Sequence, residues 1–102
     1  MRRIIKSDVF DRWVSGLRDR QARARILVRI DRLAGGNPGD VRPVGSGVCE
    51  MRIDYGPGYR VYFAQKSITL VVRLCGGDKR TQTADIRRAT DLAAIWQEIE
   101  HG

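Results

Sequence analysis

Three arginines fall where neighbouring strands would carry them side by side: Arg52, Arg60 and Arg73. Around them residues 48–54, 59–63 and 68–75 alternate apolar and polar side chains with the period of two expected of a strand. Gly56-Pro57-Gly58 reads as a tight turn and Lys66-Ser67 as a second break, so the segments form an antiparallel meander. Pairing Arg52 with Arg60 sets Met51 against Val61 and Cys49 against Phe63, around an odd-length loop centred on Gly56. A Lys66-Ser67 hairpin then pairs Val61 with Val72 and Phe63 with Leu70. One face carries Cys49, Met51, Ile53, Val61, Phe63, Leu70, Val72 and Leu74; the other carries Glu50, Arg52, Arg60, Tyr62 and Arg73. Directly opposed like charges destabilise a sheet, so the arginine row calls for an anion or an acidic segment above it. A splayed, solvated arginine face is the alternative. Tyr62 is either a stacking platform for a base or a half-buried strand tyrosine. Glu50 is either a general base or an ion-pair partner of Arg52 or Arg60.

The elements that must position this patch are legible in outline. Residues 2–6 are short and partly apolar, as in an edge strand. Ser7 or Asp8 can cap a helix bearing the stripe Phe10, Trp13, Val14 and Leu17. A second stripe follows in Ala22, Ile26, Leu27, Ile30, Leu33 and Ala34, with Arg23, Arg25, Arg29 and Arg32 on the remaining positions as a solvated face. Gly35-Gly36-Asn37-Pro38-Gly39 ends this helix, giving an αα hairpin. Residues 39–47 read as a Gly/Pro loop crossing to the meander. After the last strand comes the polar run from Gly76 and Gly77 through Asp78, Lys79 and Arg80 to Asp85, lying next to the arginine row. Thr81 or Thr83 can cap a final helix with the stripe Ile86, Ala89, Ala93, Trp96 and Ile99; Trp13 and Trp96 read as core.

Length and composition set the bounds. A chain of 102 residues fits one domain, 1–102, with one modest core. A formal charge of +7 fits nucleic acid, a membrane surface or an acidic protein, without choosing among them. No apolar run is long enough to span a bilayer, and no long apolar stretch follows the basic start, so a cytoplasmic protein is expected. Cys49 and Cys75 fall on opposite faces, which disfavours a disulfide, and no Cys/His spacing implies zinc. No cofactor is expected.

The segment Glu50-Met51-Arg52-Ile53, then Gly56-Pro57-Gly58-Tyr59-Arg60-Val61-Tyr62, then Gly76-Gly77-Asp78-Lys79 with Gln82 and Asp85-Ile86, resembles the RelE/ParE toxin superfamily. Within it the chain is most similar to the HigB-type addiction module killer branch of type II toxin–antitoxin systems; Trp13 and Gly36-Asn37-Pro38-Gly39-Asp40 fit the same order. The resemblance implies an α+β fold, an N-terminal helical hairpin packed on a small antiparallel sheet with a C-terminal helix. It implies metal-independent, ribosome-dependent cleavage of messenger RNA, and neutralisation by a cognate antitoxin, usually a helix-turn-helix protein encoded beside the toxin. A non-enzymatic inhibitor of DNA gyrase, as in the ParE branch, is the rival. Cleavage by internal 2′-hydroxyl attack needs a base, a cation on the phosphate and a proton for the leaving oxygen. A guanidinium binds phosphate bidentately, which makes Arg60 the leading phosphate ligand. By resemblance the strand arginine of the family falls on Arg60, the cation past the last strand on Lys79 with Arg80 adjacent, and a third cation on Arg52. Glu50 stands where some relatives carry lysine, and Asp85 or Ile86 replaces the terminal-helix tyrosine of others. The catalytic candidates are therefore Arg60, Lys79, Glu50 and Arg52, and the substrate-binding candidates Arg73, Tyr62, Arg80, Gln82 and Asp85.

Three mutational expectations follow from this register. Val61→Asp buries an unpaired charge and unfolds the domain. Arg60→Ala relieves repulsion with Arg52 and Arg73, so it leaves stability unchanged or slightly raised while greatly reducing toxicity and cleavage. Arg29→Ala, on the outer helix face, changes little.

Overall fold

A computed structural model describes residues 3–65 and 70–101, with side chains at residue 5 and over 7–65 and 74–95. The elements in order are β1 (Arg3–Lys6), α1 (Asp8–Ser15), α2 (Arg20–Ala34), β2 (Val41–Gly45), β3 (Val48–Ile53), β4 (Tyr59–Gln65), β5 (Leu70–Asp78), a 3₁₀ turn (Lys79–Thr81) and α3 (Gln82–His101). The fold is the α+β arrangement expected: two N-terminal helices, an antiparallel sheet and a C-terminal helix. The sheet is five-stranded in the order β1-β5-β4-β3-β2; β1 is an edge strand parallel to β5, and the remaining pairs are antiparallel.

Local chemistry explains the helix starts. Ser7 caps α1: its hydroxyl accepts from the Phe10 N–H at 3.0 Å and donates to the Leu74 carbonyl on β5. Asp19 caps α2 through the N–H groups of Gln21 and Ala22. Phe10, Val14, Ile26, Ile30 and Leu33 bury the stripes of α1 and α2 against Met51, Ile53, Val61 and Phe63 of β3 and β4. Trp13 is half-buried at the margin of this cluster. Leu27, assigned to the α2 stripe from its spacing, is instead 44 % exposed. The side chains of Trp96 and Ile99 lie outside the described set.

The β3–β4 hairpin has the expected register, with Arg52 opposite Arg60, Met51 opposite Val61 and Cys49 opposite Phe63. Its loop runs over residues 54–58, and Gly56 and Gly58 adopt positive φ of 56° and 79°, where a side chain would be strained. The β4–β5 hairpin differs. Val61 pairs with Gly76 rather than Val72, and Phe63 with Arg73 rather than Leu70, with a bulge between Tyr62 and Phe63. Arg60 therefore faces Gly77, and the third arginine of the expected row is absent from that place. The Lys66-Ser67 break lies outside the described residues.

Steric contacts explain the slide. A Cβ on Gly76 would overlap the Trp13 indole, and one on Gly77 would overlap the Asp85 carboxylate. The two glycines are neither a turn nor a phosphate loop; they lie within β5, where α1 and α3 come close to the strand backbone. The loop expected over 39–47 also contains β2, which pairs with β3 and adds an edge.

The second face of the sheet is covered. Val48, Tyr62, Ala64, Leu74 and Cys75 pack with Ala89 and Ala93 of α3. Cys49 and Cys75 are free thiols on opposite faces. Among the described residues no helix is long and apolar enough to cross a membrane.

Candidate functional site

At the open end of the sheet, the 54–58 loop, the end of β3, the start of β4 and the 3₁₀ turn enclose a cleft of about 500 Å³. Arg52, Arg60, Lys79 and Gln82 line it together with Asp40, Asp54 and Tyr59. Four of the residues selected from the sequence thus meet in one place. Lys79 reaches it because Asp78 ends β5 and caps the 3₁₀ turn, its side chain accepting from the Arg80 N–H at 2.8 Å. Gly58 shapes the loop here through its positive φ of 79°, since a Cβ there would stand at ordinary contact distance, 3.6 Å from Lys79 Cβ and 3.8 Å from Arg60 Nη1.

Behind the cleft wall lies Glu50, with no solvent exposure. Its Oε1 accepts from Arg52 Nε at 2.9 Å. Its Oε2 accepts from the Tyr62 hydroxyl and from Gln82 Nε2, each at 2.9 Å. Arg60 Nε stands 3.6 Å from the same oxygen, close enough for charge attraction but beyond hydrogen-bond distance. Burial alone would raise the Glu50 carboxyl, but the bonds from Arg52, Gln82 and Tyr62 and the Arg60 charge outweigh it and hold the group below its ordinary range. A carboxylate with three donors and no exposure is poorly placed to take a proton from a ligand. The pairing role of Glu50 is the one its geometry supports.

Tyr62 is a correction of the same kind. It is fully buried under α3, so its ring offers no face to a base. Burial and the bond to Glu50 push its hydroxyl well above the ordinary tyrosine range. The half-buried aromatic lining the cleft is Tyr59, set edge-on to Trp13 at 6.3 Å between centroids.

The remaining candidates lie apart. Arg80 is turned to the exposed side, where Nη2 donates to Asp78 at 3.2 Å. Asp85 packs against Gly77 and accepts from the Thr81 hydroxyl; burial raises its carboxyl, with the Asp78 charge adding to the effect. Arg73 stands opposite Phe63, and its side chain lies outside the described set.

Arg60 is 7 % exposed. Nη1 donates to the Gly58 carbonyl at 3.2 Å, while Nε is buried without a hydrogen-bond partner. Nη2 and Lys79 also have none among the described residues. What converges here is a cationic wall with unfilled donors, which suits a phosphate. Sequence reasoning passed over Asp40 and Asp54. The signals for Asp40 were its place beside the Gly39 break and in the Gly36–Asp40 segment that fits the family order, and only β2–β3 pairing, with the Arg52 N–H bonded to the Asp40 carbonyl at 3.0 Å, brings it to the cleft. Among the described residues no set of three or more His, Cys, Asp or Glu side chains is gathered as a metal site.

The family description "Phage derived protein Gp49-like (DUF891)" matches residues 12–95, which include every residue of the cleft. The chain belongs to this Gp49-like family. The family is associated with toxin–antitoxin modules. A protein of Haemophilus influenzae, described as an uncharacterized protein, is 51 % identical over 84 residues, spanning 82 % of this chain and 85 % of that one. The matched span of this Gp49-like chain begins within α1 and ends within α3, and it includes Trp13 and Asp85, the two side chains that press on Gly76 and Gly77.

Proposed function

We propose that this Gp49-like chain is the toxin of a type II toxin–antitoxin module and acts as a metal-independent, ribosome-dependent messenger-RNA endonuclease in the cytoplasm. The observation that carries the reading is the cleft in which Arg52, Arg60 and Lys79 converge beside Tyr59. The motif order shared with HigB-type members of the RelE/ParE superfamily supports the same assignment.

In this reaction the 2′-hydroxyl oxygen attacks the adjacent phosphorus, the P–O5′ bond breaks, and a 2′,3′-cyclic phosphate and a 5′-hydroxyl result. The dianionic transition state is met by the Arg60 and Arg52 guanidiniums and by Lys79. The 2′-hydroxyl proton passes to a carboxylate of the cleft, Asp40 or Asp54, both exposed, rather than to Glu50. The Lys79 ammonium supplies a proton to the leaving O5′. Tyr59 offers the stacking surface first assigned to Tyr62. The antitoxin, a helix-turn-helix protein encoded beside the toxin, would neutralise the +7 surface with carboxylates.

Primer-extension mapping of transcripts after induction tests the reading. Cuts within translated codons in the wild type, lost in Lys79→Ala, are expected. Intact transcripts accompanied by DNA damage would replace the reading with gyrase inhibition.

A further inference from the structure

The buried carboxylate has more donors than its nearer oxygen can serve. An ionised carboxylate oxygen offers two lone-pair sites. Glu50 Oε2 receives Tyr62 Oη and Gln82 Nε2, both at 2.9 Å, which fills both. Arg60 Nε waits 3.6 Å away and is the buried polar side-chain atom left without a partner among the described residues. Buried donors are normally satisfied, so an unsatisfied one beside a carboxylate needs a reason. A shift of well under 1 Å would close this bond and draw the guanidinium onto Glu50.

We propose that Gln82 and Tyr62 are positioning residues for a phosphodiester-binding site on Arg60. By occupying Glu50 Oε2 they keep the Arg60 guanidinium from being consumed by its own counter-ion. The guanidinium stays pinned by Gly58 and leaves Nη2 without a partner beside Lys79. Glu50 still supplies enough negative charge at 3.6 Å to make burial of Arg60 tolerable. Gln82 is also the first residue of α3, directly after the turn that carries Lys79, so three residues of backbone link the residue that occupies Glu50 to the second cation of the site. This deepens the reading above and rests on it for the identity of the phosphodiester.

The test uses the whole chain, Gln82→Met and Tyr62→Phe, which keep volume and remove one donor each. The probe is a 2′-deoxy trinucleotide, which carries phosphodiesters and lacks the attacking hydroxyl. Two readouts are taken at low ionic strength: the Arg60 Nε–H resonance and trinucleotide affinity. In each variant the freed lone pair should capture Arg60, moving its Nε–H resonance downfield, and the dissociation constant should rise roughly tenfold, about 1.4 kcal/mol. A folded Gln82→Met chain with unchanged resonance and affinity would overturn the proposal. So would weakened binding with an unmoved resonance, since Gln82 would then be a direct ligand. If Tyr62→Phe does not fold, Gln82→Met decides alone. Trinucleotide binding that follows the expected pattern in a protein that cuts no messenger RNA would overturn the endonuclease reading and keep this one.

Discussion

Glu50 controls the site because it is the buried anion to which both cleft arginines are tied. Two guanidiniums directly opposed across β3 and β4 would repel, yet Glu50 bonds to Arg52 and stands 3.6 Å from Arg60. Relief of repulsion therefore does not follow from removing Arg60. Arg60→Ala takes a counter-charge from a buried carboxylate and opens space beside it, so its melting temperature should fall by a few degrees. Cleavage of ribosome-bound messenger RNA should fall roughly a hundred- to a thousandfold, the usual worth of one preorganised donor. Full cleavage by the folded variant would remove Arg60 from the mechanism. Glu50→Gln should cost about 3 kcal/mol at pH 7, since an amide cannot balance the buried Arg60 guanidinium and the half-buried one of Arg52. The carboxyl lies below its ordinary value of 4.5 in the folded chain. Its stabilising contribution is thus complete above about pH 4.5 and is lost as the pH falls through the depressed folded value. Urea melts should show the gap between wild type and Glu50→Gln narrowing from pH 7 to pH 3; an unchanged gap would show that Glu50 is not charged in the folded state.

At the level of elements, α2 does more than cover the core. Arg29, expected on an outer solvated face, donates to the Arg52 carbonyl at 2.7 Å and to the Pro38 carbonyl at 3.1 Å. It ties the end of β3 to the loop that leaves α2, and both borders of the cleft depend on that tie. Arg29→Ala should cost about 2 kcal/mol, the worth of hydrogen bonds to a charged donor, whereas the exposed Arg32→Ala should stay within about 0.5 kcal/mol. Equal denaturation midpoints for the two variants would show the tie to be unimportant. On β5, Gly76→Ala should destabilise severely, because the added methyl meets the Trp13 ring. Pairing it with Trp13→Leu should recover part of the loss in thermal melts. If the double variant is no better than the single one, the strand register is held by something other than this contact.

On the scale of the molecule, charge is distributed around two clefts that meet. The second, about 490 Å³, is lined on α2 by Arg25, Arg29 and Arg32 and shares Ile53 and Asp54 with the first. The guanidinium of Arg25 also lies 4.7 Å over the Tyr55 ring. The chain's net charge of +7, with these arginines gathered at the clefts, should make association with a carboxylate-bearing antitoxin faster and tighter at low ionic strength. Titrations from 50 to 500 mM salt should show affinity falling steadily. A flat profile would place the main contact on an apolar surface instead.

Alternation by itself determined the β3–β4 hairpin. Arg52 and Arg60 are paired as read, and Met51, Ile53, Val61 and Phe63 face the helices as read, because a slip of one residue would turn them all to the opposite face and bring Glu50, Arg52 and Arg60 into this core. The capped, striped helices were equally local, down to Ser7. The β4–β5 register was not available in the same way. Moving the partner of Val61 from Val72 to Gly76 is a slide of four residues, which preserves facing before the bulge; the bulge then turns Leu74, read on the face of Met51 and Val61, to the α3 face beside Tyr62, a break that simple alternation does not contain. The choice between them rests on contacts distant in sequence: Trp13 over Gly76 and Asp85 over Gly77 need a strand without side chains at those points. The same packing decided the site. Once α3 lies across the second face, Glu50 and Tyr62 become buried support, while Tyr59 and Asp40 come to the cleft, since exposure depends on which element covers a strand and not on the strand's own residues.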